Sequence, residues 1–174
     1  MLKKTFLLGL ICLVAAAPLA AQTDRFVALV VSGDDGTERA DVVQEHLQSF
    51  GAETLRANSP NNAQLRSILK RFAREAADAR VSVVYLDVPV VKYNDRAFAL
   101  PTDARIARDT DLFTQGIPLQ AFARSAAQAA QGGAVITTRA DMPGVMPVSV
   151  TELVAAPDPV PGSSPIVLLS LIHI

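Results

Sequence analysis

Val83-Val-Tyr-Leu-Asp-Val-Pro-Val-Val-Lys-Tyr-Asn-Asp-Arg-Ala-Phe-Ala-Leu-Pro-Thr-Asp-Ala104 joins an apolar run to a polar one, and the junction at Asp87 decides how the chain is read. Upstream, Val81 to Leu86 is continuous, apolar and rich in β-branched residues, the pattern of a strand covered on both faces. Downstream, residues 87–116 carry Asp103, Asp109 and Asp111 and read as a loop holding one short element at most.

Working outward, Phe26-Val-Ala-Leu-Val-Val31 is a second buried strand, followed by the loop Ser32-Gly-Asp-Asp-Gly36. Thr37 is placed to cap a helix whose stripe is Ala40, Val43, Leu47 and Phe50, with Gly51 as its terminator. Ala52 to Arg56 forms a short strand. Ser59 then reads as an N-cap with Pro60 at the first helical position. Leu65, Ile68, Leu69, Phe72 and Ala76 are the inward stripe of that helix, and Lys70, Arg71 and Arg74 face water. A third helix is expected from Ile117-Pro118 to Gly132-Gly133, with Leu119, Phe122, Ala126 and Ala129 inward. Ala134 to Thr138 and Ile166 to Leu169 are the remaining strands. Residues 142–165 hold six of the 11 prolines and read as extended loop. Helices alternating with apolar strands predict an α/β fold with a mainly parallel sheet covered on both faces. Ligand chemistry in such sheets lies past the carboxyl ends of the strands, which here are Ser32–Asp35, Asp87–Lys92 and Thr138–Asp141.

Leu100-Pro-Thr-Asp-Ala104 resembles the L-x-P-x-D-A signature of caspase-like domains, the metacaspase-type branch of peptidase family C14. Further residues fit the same order. Arg25-Phe-Val-Ala-Leu-Val-Val31 is similar to the family's opening strand, and Leu47-Gln-Ser-Phe-Gly51 to the end of its first helix. Phe72 and Ile117-Pro-Leu119 fall at corresponding places in later helices. Ala134-Val-Ile-Thr-Thr-Arg-Ala140 occupies the place of the strand that ends in D-A-C. The resemblance covers about residues 24–168. It implies a three-layer αβα caspase-like sandwich, truncated at the C-terminus, in which Val81–Leu86 and Ala134–Thr138 are parallel neighbours. It also implies that Pro89 stands where the family has its catalytic His, and Ala140 or Arg139 where it has its nucleophilic Cys.

Neither residue type can do that chemistry. Proline has no ring nitrogen to take a proton, and peptide cleavage of this kind needs a thiolate activated by a base. The one cysteine, Cys12, lies in the N-terminal apolar run. Of two histidines, His46 is mid-helix and away from the strand ends, and His173 is in the terminal segment. The expected function is therefore a non-catalytic binding or regulatory module, with a cleft formed by Asp87, Lys92, Arg139 and Asp141 and a protein or peptide partner. Two other classes stay open. One is a cysteine-type hydrolase with catalytic groups in a missing C-terminal region; the other is a small-ligand α/β binding domain.

Other patterns are weaker. Ser32-Gly-Asp-Asp-Gly-Thr37 lacks the lysine and glycine spacing of a phosphate loop. Asp34 with Asp35, and Asp109 with Asp111, lack the spacing of a calcium loop and read as solvated charge. The Arg66, Lys70, Arg71 and Arg74 run reads as a wet helix face. No Cys/His set suggests a transition metal, and no cofactor is expected. A net charge of −1 and the absence of Trp argue against nucleic acid. Lys3, Lys4, the apolar run Phe6 to Ala17 and Ala20-Ala21 form a bacterial-type signal peptide over residues 1–21. The mature domain, 22–168, is then exported, periplasmic or extracellular, with no stable membrane insertion. Leu169-Ser-Leu-Ile-His-Ile174 is similar to a translated sequencing adapter and is set aside from the fold.

Overall fold

The structure, a computed structural model, describes residues 24–142 and 144–169. The expectations for the signal segment, Cys12, His173 and residues 170–174 lie outside the described residues.

Five parallel strands form the main sheet: β1 Phe26–Ser32, β2 Ala52–Asn58, β3 Val81–Asp87, β7 Gly133–Thr138 and β9 Ile166–Leu169, in the order β2-β1-β3-β7-β9. Valine-rich β1 and β3 are central, and β1 is buried from Val27 to Ser32. Helix α1, Thr37–Ser49, covers one face, where Ala40 packs with Val30 and Tyr85. Helices α2, Asn62–Ala77, and α4, Leu119–Ala126, cover the other, where Leu65, Phe72 and Phe122 meet Val27, Leu29 and Val84. The fold is thus a three-layer αβα sandwich. Alternation along β1 explains the layers, since Val27, Leu29 and Val31 point to one helix layer and Val30 to the other. Leu65, Phe72 and Phe122 are each 0 % exposed, and each stabilises the fold by roughly 2 kcal/mol through burial. Among the described residues no helix is long and apolar enough to cross a membrane.

The segment 87–116 departs from the loop expected of it. Val90–Tyr93 (β4) and Arg96–Ala99 (β5) form an antiparallel hairpin, followed by the single helical turn α3, Leu112–Gln115. The turn is Asn94-Asp95, and Asn94 takes φ 52, the left-handed backbone that Asn tolerates best among non-glycines. Ile117–Pro118 (β6), expected to start a helix, pairs with β5 instead. Val150–Glu152 (β8), inside the supposed extended loop, pairs with β4. The resulting four-stranded antiparallel sheet, β6-β5-β4-β8, has its own core of Val91, Phe98, Leu100, Ile106 and Leu112.

Four helix ends also differ. Thr37, expected to cap α1, is its first residue, and Gly36 takes the N-cap place. Asn61, not Ser59, caps α2, through a reciprocal pair in which the Gln64 amide donates to Asn61 Oδ1 at 2.9 Å and the Asn61 amide to Gln64 Oε1 at 2.9 Å. Phe50 is 78 % exposed, because α1 stops at Ser49 and the chain turns out of the stripe before Gly51 at φ 85. α4 ends at Ala126, and Gly133 already belongs to β7.

Tyr85 sits at 4 % exposure beneath α1. Burial pushes its phenol above the ordinary value, and the nearby Asp87 charge adds to the rise. The folded state therefore holds this proton more tightly than the unfolded chain. The associated stability is complete below the ordinary tyrosine range, about pH 10, and is lost as the pH rises above it. Denaturant midpoints should fall from about pH 10 upward, and Tyr85→Phe should flatten that fall. Equal slopes in the two proteins would contradict this assignment.

Candidate functional site

β1, β3 and β7 finish at one level, with Ser32 opposite Asp87 and Leu86 opposite Thr137. The order β2-β1-β3 reverses the direction of chain travel at β1, which opens a crevice beyond the strand ends. A cavity of about 780 Å³ lies there. Gly33 to Gly36 contribute from the loop after β1, Val88 and Pro89 from the loop after β3, and Arg139 to Met142 from the loop after β7. The carboxyl ends of β3 and β7, parallel neighbours as expected, share this cleft, and Pro89 and Ala140 both line it.

Asp87 is at the centre but is not free to bind a ligand. It is 1 % exposed. Arg39 Nε donates to its Oδ2 at 3.0 Å and Arg39 Nη2 to its Oδ1 at 2.9 Å. Thr138 Oγ1 donates to Oδ1 at 2.7 Å. These bonds join helix α1, strand β3 and strand β7 through one carboxylate, and they push the Arg39 guanidinium further above its already high value. The backbone is tied as well, since the Gly33 amide donates to the Asp87 carbonyl at 2.7 Å. Gly36 completes the fit: a Cβ there would stand 2.6 Å from both Asp87 Cγ and Oδ2.

Arg139 is similarly engaged, with Nε donating to Glu152 Oε1 at 2.5 Å, so the end of β7 is tethered to β8. Asp141 is exposed at the rim. Lys92, expected in the cleft, is not there. The hairpin carries it onto β4, opposite Ala97 and Thr151, where it lines a separate cavity.

The Leu100–Ala104 motif has a structural use in this cleft. Leu100, Pro101 and Thr102 form part of its wall. The Thr102 hydroxyl donates to the Pro60 carbonyl at 3.0 Å, and Asp103 Oδ1 accepts the Asn62 amide at 2.9 Å. An acidic group on a free N–H in the first turn of α2 is favourable by both hydrogen bonding and helix dipole. Three of the four residues in the other acidic pairs are occupied locally. Asp34 accepts from Ser59 Oγ and Asp109 from Ser149 Oγ. Asp111 accepts the Arg108 and Ala107 amides, which hold its carboxyl below the ordinary range, the Arg108 amide contributing most. Among the described residues no group of three or more His, Cys, Asp or Glu side chains is placed to hold a metal ion. His46 is exposed on α1, with Nδ1 at 2.7 Å from the Val42 carbonyl.

Arg39, Gly36 and Glu152 were not singled out by sequence as parts of this site, and Thr138 only as a strand end. An Asp ending an apolar strand implies a buried acid that needs a cation, but nothing in the sequence selects Arg39 from the other arginines. Comparison with protein-family models and with curated proteins gives no match for this chain.

Gly36→Ala should destabilise the protein by about 2 kcal/mol, because the three bonds on Asp87 leave its carboxylate unable to swing aside. Thermal unfolding followed by circular dichroism measures this. An unchanged melting temperature would show that the contact is loose.

Proposed function

We propose that this chain is an exported, caspase-like module without peptidase chemistry that holds a basic segment of a protein partner in the cleft beyond β1, β3 and β7. The observation that carries the reading is the state of the charges around that cleft. Its cations are paired: Arg39 is bound to Asp87 and Arg139 to Glu152. Asp35 and Asp141 face outward, exposed, and neither makes a hydrogen bond or salt bridge among the described residues. A cleft whose uncommitted charges are acidic attracts cations and repels acids, and electrostatic complementarity of this kind sets partner choice. Pro89 and Ala140 at the two strand ends supply neither a base nor a nucleophile. The expectation of export rests on Lys3, Lys4 and the apolar run that follows.

Two measurements test this. Fluorogenic peptides ending in Arg, Lys or Asp should show no thiol-dependent turnover, with or without Ca²⁺; turnover abolished by a thiol alkylator would overturn the non-catalytic reading. A fluorescein-labelled Arg/Gly/Lys peptide should bind in preference to an Asp/Gly/Glu peptide of equal length. The Asp35→Asn/Asp141→Asn double variant should weaken that binding about tenfold at low salt. Equal binding of both peptides, or no effect of the double variant, would remove the cleft from consideration as a basic-segment site.

A further inference from the structure

The β4–β5 hairpin, the start of α4 and the segment 153–160 enclose a second cavity of about 830 Å³. Its apolar surface is provided by Ala97, Leu119 and Leu153, which are 8 %, 1 % and 5 % exposed. Over it pass Val154 and Val160, 72 % and 39 % exposed, so apolar surface at the mouth is left in water. The volume lies in the range of small-molecule sites.

Three cationic side chains, Lys92, Arg96 and Arg124, line this cavity. Lys92 and Arg124 line it and enter no hydrogen bond or salt bridge among the described residues. Arg96 lines it too, and its guanidinium lies 6.0 Å from the centre of the Phe113 ring. Gln120 also lines it, and its side-chain nitrogen is buried without a hydrogen-bond partner. A buried donor without a partner is unfavourable, and an acceptor in the cavity would relieve that cost. Gln120 and Arg124 are four residues apart on α4 and share one face of the helix. Of the acids that line it, Glu152 is held by Arg139, and Asp95 and Asp158 are exposed, so the three cations outside salt bridges outnumber the two acids outside them.

The geometry points to a site for a small monocarboxylate with an apolar tail. Its head group sits among Lys92, Gln120 and Arg124, and its tail lies on Ala97, Leu119 and Leu153. This assignment is independent of the peptide-binding reading of the cleft, and its ligand has the opposite charge. A carboxylate accepts several charge-assisted hydrogen bonds at once, which a neutral head group of equal size cannot match and an ammonium would meet with repulsion.

The test is a ¹H–¹⁵N NMR titration of the purified protein with sodium octanoate, beside octylammonium chloride of the same chain length. Octanoate should shift the Ala97, Gln120, Arg124 and Leu153 amides saturably, and octylammonium should not. Arg124→Gln should weaken octanoate binding about tenfold. Lys92→Gln, an exposed strand position, gives the same reading should Arg124→Gln fail to fold. Equal saturation by octylammonium, octanoate shifts confined to other regions, or no octanoate shifts would overturn the site. None of these outcomes bears on the cleft, because the reporting residues do not line it.

Discussion

The Asp87 carboxylate has no exposed side-chain surface, and an isolated charge in that position would cost several kcal/mol. Arg39 and Thr138 meet the cost with three hydrogen bonds to its two oxygens. Because those partners come from α1 and β7, the acid at the end of β3 sets where the covering helix and the next strand lie. The absence of a side chain on Gly36 follows from the same constraint, since the N-terminal end of α1 approaches the carboxylate too closely for a Cβ. The cleft above is therefore built on a rigid floor.

That floor shapes what the cleft can recognise. The strand order places the crevice beyond β1 and β3, and the ion pairs at Arg39 and Arg139 offset its positive charge. Asp35 and Asp141 remain outside these pairs, exposed at the rim. The second antiparallel sheet closes one side through Leu100 and Glu152, and its far side opens on the cavity with the opposite balance of free charge. Glu152 lines both, so β8 is the partition between an acidic cleft and a cavity where cations outside salt bridges outnumber acids outside them by one.

Much of the main sheet was legible because its strands are continuous apolar runs whose burial is unambiguous: Phe26–Val31, Val81–Leu86 and Ala134–Thr138 fall within observed strands. The stripe of α2 was equally clear, with Leu65, Leu69, Phe72 and Ala76 all buried. The antiparallel sheet was hidden because its strands are two to four residues long, too short to show alternation, and are separated by polar loops. Its hairpin had one local sign, the Asn94-Asp95 pair between Tyr93 and Arg96. Missing that turn also misplaced Lys92, since a hairpin carries a residue away from the strand end that a loop would leave beside it. Asp87, Arg139, Asp141, Pro89 and Ala140 line one cleft because all of them lie at or just past the ends of two adjacent parallel strands. The partner of Asp87 was not legible: Arg39 lies 48 residues away in sequence and is selected only by the packing of α1 on β1 and β3.

The claim on which this account depends is that Asp87 is a structural anchor held by Arg39 and not a group waiting for a ligand. A double-mutant cycle in urea, comparing wild type, Arg39→Met, Asp87→Asn and the double variant, measures it most directly. The account predicts a coupling energy of about 2 kcal/mol, with Arg39→Met the more damaging single change because it leaves the acid buried with only Thr138 beside it. Additive effects, with a coupling near zero, would contradict it.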